Sequence, residues 1–131
     1  MPGNFFDTNV LLYVGGADRR KAEEAEGLLR QGGTISVQVL NEFANVSRRK
    51  ARLPWPELHS CLRTIRRGLA VLPLTVEIHQ LGVQVAERYS LSIYDAMIVA
   101  SALDANCDTL WSEDMQHHLL IDRLRIRNPF S

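Results

Sequence analysis

The chain has 131 residues and a mass of 14.8 kDa, a length that suits one domain with its own core. Hydrophobic residues make up 46% and charged residues 23%, which excludes collagen-like, disordered and disulfide-scaffold classes. Fifteen basic and fifteen acidic residues cancel, so no global positive field advertises a nucleic-acid partner and any electrostatic site must be local.

In chain order, Phe5-Phe6 reads as a buried strand closed by the polar turn Asp7-Thr8-Asn9. Val10 to Val14 makes one or two helical turns, ended by Gly15-Gly16. Asp18 then caps a helix with Ala22, Ala25, Leu28 and Leu29 on one face, and Gly32-Gly33 stops it. Thr34 to Val37 alternates as a second strand. A helix over Gln38 to Lys50 follows, with Val39, Phe43 and Val46 as its apolar stripe. Pro54 and Pro56 open another over Trp55 to Arg67, where Cys61 shares the core face with Leu58, Leu62 and Ile65. Ala70-Val71-Leu72 is a third strand, cut by Pro73, and Thr75 caps a helix to Tyr89. Tyr94-Asp95 opens a helix through Ala105. Thr109-Leu110-Trp111 is a fourth strand and Leu124 to Arg127 a fifth. Strands alternating with helices predict an α/β layered fold with a mostly parallel sheet.

Two cysteines, Cys61 and Cys107, without a secretory segment predict free thiols in the reducing cytoplasm. No apolar run approaches 18 residues, so no membrane span is expected.

In open α/β sheets ligands gather outside the carboxyl ends of the strands. Asp7 follows the first strand, Glu42 lies early in the helix after the second, Asp95 starts a helix, and Glu113 and Asp114 follow the fourth strand. Each has a purely structural reading. Asp7 can organise an Asx-turn, Asp95 can be an N-cap, and Asp114 can sit in the first turn of a short helix capped by Ser112. Glu42 shares its helical face with Val39 and Val46 and has no basic residue three or four positions away. Their joint placement at strand ends is the stronger signal. Several carboxylates at one point repel unless a cation joins them, and hard oxygen ligands suit Mg²⁺ or Mn²⁺. Such ions activate water and steady the charge on a phosphoryl oxygen.

Four segments in order resemble a PIN domain, most closely a VapC-type toxin ribonuclease. They are Phe5-Phe6-Asp7-Thr8-Asn9, Leu40-Asn41-Glu42-Phe43, Tyr94-Asp95-Ala96-Met97-Ile98-Val99-Ala100-Ser101-Ala102 and Thr109-Leu110-Trp111-Ser112-Glu113-Asp114-Met115-Gln116-His117. The acids lie 35, 53 and 19 residues apart. The resemblance implies one PIN domain over residues 1–131, a three-layer α/β/α fold with about five mostly parallel strands. It also implies an endoribonuclease dependent on Mg²⁺ or Mn²⁺, with Asp7, Glu42, Asp95 and Asp114 as catalytic and metal-binding acids. By the same resemblance Ser112 supports the site by hydrogen bonding, Asn9 orients Asp7, and Glu113 either helps a second metal or faces solvent. His118 stands where close relatives have glycine.

The implied partners are an RNA substrate, a cognate antitoxin and a second copy in a homodimer. Leu11, Leu12, Leu28 and Leu29 could contribute to an antitoxin groove, although core explains them better. Among the basic runs, Arg48, Arg49, Lys50 and Arg52 are the favoured RNA contacts. Arg19, Arg20 and Lys21 form a second run. Arg123, Arg125 and Arg127 alternate on a possible edge strand, where charge blunts aggregation. Solvated surface explains each run equally well. The main rival is a non-catalytic PIN-like binding module. A phospho-acceptor domain would need a lysine after a late strand, a dehalogenase-type phosphatase a second aspartate in place of Asn9, and a dinucleotide site a glycine-rich first turn.

Overall fold

A computed structural model describes residues 3–131. Its elements in chain order are β1 (Asn4–Phe6), α1 (Thr8–Tyr13), α2 (Arg19–Arg30), β2 (Thr34–Ser36), α3 (Val37–Arg49), α4 (Trp55–Gly68), β3 (Ala70–Leu72), α5 (Val76–Tyr89), α6 (Ile93–Asp104), β4 (Thr109–Trp111), β5 (Leu120–Ile121) and β6 (Leu124–Arg127). The strands form one sheet in the order β3-β2-β1-β4-β6-β5. All pairs are parallel except β5 with β6. This is the expected α/β architecture with one strand more, because Leu120–Ile121 folds back on β6 as a short hairpin.

The strands are short but apolar on both faces at the centre. Phe5, Phe6, Ile35, Leu110 and Ile126 are buried, as a parallel sheet covered on both sides requires. Helix α6 is buried through seven consecutive residues, Ala96 to Ala102, and packs chiefly against α5. Chain order reverses between β1 and β4, so the switch point of the sheet lies at their carboxyl ends.

Local chemistry sets the helix starts, and it corrects several sequence expectations. Asp18 and Thr75 accept from the backbone N–H of Lys21 and Ile78, as predicted caps should. Helix α6 is capped by Ser92, which accepts from the Asp95 N–H at 3.2 Å, so Asp95 is released from capping and sits inside the first turn. Val37 opens α3 instead of ending β2. No helix follows β4; Ser112 Oγ accepts from the Met115 N–H in an isolated turn. His118 adopts φ 69°, the backbone that its place in the motif would give to glycine. Cys61 is only partly buried. Strand β6 is not an edge: β4 flanks it on one side, and on the other β5 and the Leu119 and His118 backbone take its hydrogen bonds.

Gly33 enters β2 against β1, where a Cβ would stand 2.6 Å from Phe6 Cε2 and 2.7 Å from the Asn4 carbonyl oxygen. Neither neighbour can yield without moving the strand that carries Asp7. Gly33→Ala should cost about 1–3 kcal/mol in urea denaturation, and an unchanged midpoint would show that the β1–β2 contact is looser than described.

Candidate active site

Asp7 is the first residue past β1 and the N-cap of α1. Its Oδ1 accepts from the Thr8 N–H at 2.7 Å and its Oδ2 from Ser112 Oγ at 2.6 Å. The parallel register aligns Phe6 with Trp111, which sets Ser112 beside Asp7. Asp7 is 3% exposed. Burial pushes its carboxyl up to about 6; the Ser112 and Thr8 hydrogen bonds hold it back, and Asp95 and Glu42 push it further up.

Glu42 projects from α3 half-buried and accepts from Gln38 Nε2 at 3.0 Å. Burial raises its carboxyl, Gln38 opposes this, and the charges of Asp95 and Asp114 add to the rise. Asp95, also half-buried, is raised by burial and by Asp114, against its bond to Ser92. The four acids, scattered over the sequence, therefore share one electrostatic environment at the carboxyl edge of the sheet. Among the described residues, however, no three His, Cys, Asp or Glu side chains converge as a ready-made ion cage.

Two buried hydroxyls lie on the same edge. Thr8 Oγ1 and Ser36 Oγ, on residues 5% and 0% exposed, have no hydrogen-bond partner. Thr8 lies near enough to Glu42 to lower its carboxyl's pKa, though without hydrogen-bond geometry. Neither hydroxyl, nor Gln38, stands out in the sequence, because only the fold brings them next to the acids.

Asn9 has a different job from the one expected. Its Nδ2 donates to Asp114 Oδ2 at 3.0 Å and its Oδ1 accepts from the Glu113 N–H at 3.2 Å. Its bonds go to the loop after β4, and it orients Asp114, not Asp7. Glu113 is partly exposed, and both of its carboxylate oxygens have protein partners. It forms an ion pair with Lys21 and accepts from the Tyr13 hydroxyl at 2.6 Å. Burial opposes its ionisation, yet Lys21 and Tyr13 together hold its carboxyl below the usual range. Lys21 Nζ also lies 4.8 Å from the Tyr13 ring centroid and 5.4 Å from that of Phe130. Tyr13 is thus a part of the site's frame that the sequence did not single out, and Lys21, noted there only in a basic run, is another; nothing local links them to a residue about 100 positions away.

The favoured basic run sits elsewhere. Arg48, Arg49 and Lys50 end α3, which descends from the carboxyl edge, so Arg49 lies about 10 Å beyond Glu42 along the helix. Arg48 donates to the Leu53 carbonyl at 2.9 Å and lies 4.1 Å from the Trp55 ring centroid. Arg52 occupies the following turn with φ 52°.

The PIN domain family model matches residues 5–120. No curated protein matches the sequence. Among solved structures, a toxin–antitoxin complex from Klebsiella pneumoniae aligns with a TM-score of 0.72 at 19% identity, covering 96% of this chain and 97% of that one. VapC20 of Mycobacterium tuberculosis, a Sarcin-Ricin loop cleaving toxin, aligns with a TM-score of 0.70 at 18% identity, covering 85% of this chain and 89% of that one. DNA-bound VapBC from Salmonella typhimurium aligns with a TM-score of 0.72 at 18% identity, covering 98% of this chain and 99% of that one. At these identities the likeness is one of fold.

The raised carboxyl of Asp7 makes stability depend on pH. Its folded value of about 6 exceeds the ordinary 3.8, so the folded chain holds the proton more tightly than the unfolded chain. Stability should therefore fall as pH rises from 4 to 6 and stay lower above it, by up to about 3 kcal/mol. In EDTA, Asp7→Asn should be more stable than the parent at pH 8 and lose that advantage near pH 4. Urea denaturation across this range tests it; a variant less stable at every pH would contradict the burial cost.

Proposed function

The chain belongs to the PIN domain family, and on that premise we propose that it is a Mg²⁺- or Mn²⁺-dependent endoribonuclease, the toxin of a type II toxin–antitoxin pair. The observation that carries this reading is Asp7: a carboxylate buried at the switch point of the sheet, without a basic partner, within electrostatic reach of Glu42 and Asp95. A polypeptide gains nothing in stability from that arrangement, and a divalent cation would reverse its sign.

The donor set fits such an ion. Asp7, Glu42, Asp95 and Asp114 are hard oxygen donors, and Asp114 is exposed. Thr8 Oγ1 adds an unpartnered buried hydroxyl on the residue after Asp7. With fewer than three side chains converging at one point, water would complete the coordination, as Mg²⁺ prefers. When bound, the ion would supply water activation and offset the charge on a scissile phosphodiester. Ser112 keeps Asp7 in one orientation through its 2.6 Å hydrogen bond. Asn9 holds Asp114, and the Lys21–Glu113–Tyr13 cluster holds the loop itself. Hydrolysis at such a site would leave 5′-phosphate and 3′-hydroxyl ends.

The toxin reading also needs a partner. An apolar groove of about 520 Å³ runs between α1–α2 and α3–α4, lined by Leu11, Leu29, Phe43, Cys61 and Ile65. Two of the four leucines singled out from the sequence, Leu11 and Leu29, line it. An amphipathic antitoxin helix is the natural occupant, and a homodimer is the assembly we assign to the free toxin.

Three results should follow. Mn²⁺ should raise the thermal midpoint of the parent protein but not of Asp7→Asn. Asp7→Asn and Asp95→Asn should lose at least about a hundredfold in cleavage of single-stranded RNA, and Ser112→Ala about 10–100-fold, with their folds intact by circular dichroism. A metal-indifferent protein, or a fully active Asp7→Asn, would leave a binding module as the better reading.

A further inference from the structure

A polyanion approaching four acids needs basic groups along its path, and the parallel register shows where unpaired ones begin. Arg127 pairs with Trp111, and Trp111 pairs with Phe6, the residue before Asp7. Two strand spacings, about 10 Å, separate Arg127 from β1. The Arg127 carbonyl also accepts from the Ser112 N–H at 2.9 Å, so the end of β6 abuts the residue that orients Asp7.

The side chains on this strand alternate. Leu124 and Ile126 are buried, while Arg125 and Arg127 face outward beside Thr109 and Trp111. Among the described residues, neither guanidinium takes part in a hydrogen bond or an ion pair, although Arg127 lies 5.0 Å from the Trp111 ring centroid. The indole is pinned by its own N–H, which donates to Asn4 Oδ1 at 3.1 Å. His118 stands close enough to feel both arginines, and its ring lies 3.7 Å from that of His117. A groove of about 500 Å³ opens toward the amino ends of the strands, with Asn4, Gly33, Asp108, Thr109, Trp111 and Arg127 in its wall, so it leads from the end of β6 away from the acids. Its one carboxylate, Asp108, is engaged by the Thr109 hydroxyl at 3.2 Å. Edge protection does not explain these arginines, because the edge of β6 is already covered by β5.

We propose that this outward face of β4 and β6 is the track that single-stranded RNA follows away from the acidic site, with Arg125 and Arg127 on its phosphates and the Trp111–Arg127 pair beneath a base. The proposal rests on the ribonuclease reading and gives it a direction. Aromatic and guanidinium planes accept any base, and free guanidinium groups bind phosphate in a fork geometry. The run from Arg48 to Arg52 offers less, since Arg48 is already committed to Leu53 and Trp55.

The two tracks can be told apart because each carries one of the two tryptophans of the chain. The binding probe is a fluorescein-labelled oligouridine titrated by anisotropy in EDTA against the Asp7→Asn protein, so that no cleavage intervenes. Adding Arg125→Gln and Arg127→Gln should weaken binding about tenfold and flatten the salt slope by about 1.4, the loss of two phosphate contacts to a single strand. Arg125→Lys with Arg127→Lys should keep most of the slope. With unlabelled RNA and Trp55→Phe, the emission of the remaining Trp111 should change on binding. Unchanged affinity and slope in the glutamine pair, or silence of Trp111 while Arg49→Gln with Lys50→Gln abolishes binding, would overturn the proposal. Thermal midpoints of every variant exclude misfolding as the cause. Because binding is read with cleavage disabled, loss of this track would leave the metal-dependent activity standing, and an inactive parent that still binds here would remove the activity alone.

Discussion

The hydrogen bond from Ser112 to Asp7 is the contact on which the site depends. It joins the residue after β4 to the residue after β1 at the point where the chain order of the sheet reverses, and it lies in the interior. A carboxylate there is costly to ionise, and its neighbours Glu42 and Asp95 make it costlier. The fold tolerates this because two hydrogen bonds partly satisfy the oxygens. A bound cation would relieve this charge strain, and that is the physical content of the proposed metal dependence.

The loop after β4 poses the opposite problem. It forms no helix, and its Asp114 is exposed, so it needs an external scaffold. That scaffold is distant in sequence. Asn9 binds both the backbone of Glu113 and the side chain of Asp114, while Lys21 and Tyr13 bind the Glu113 carboxylate and Phe130 packs against both of them. Two adjacent acids thereby acquire separate tasks. Glu113 anchors the loop to α1 and α2, and Asp114 is left available at the site.

A neutral chain can still be strongly polarised. The acids gather at the carboxyl ends of the strands, and the free arginines of β6 line its outward face, Arg127 at the carboxyl end and Arg125 toward the amino end. The apolar groove lies apart, among α1, α2, α3 and α4. Substrate and protein partner would then meet different surfaces, which lets a partner occupy the groove without competing for the RNA track.

Much of this was written in the sequence. Apolar pairs such as Phe5-Phe6, the helix stripes and the caps Asp18 and Thr75 are local signals, and local signals fix which segments become strands and helices. The placement of Asp7, Glu42, Asp95 and Asp114 near one edge was legible too, because a parallel α/β sheet always sends strand ends to one edge. Partnership was beyond reach. That Asn9 serves Asp114, that Lys21 neutralises Glu113, and that β6 lies inside the sheet all depend on strand order and register, which no local pattern encodes. Hydrogen bonds and charges act over a few ångströms of space, and only the folded chain decides which residues come that close.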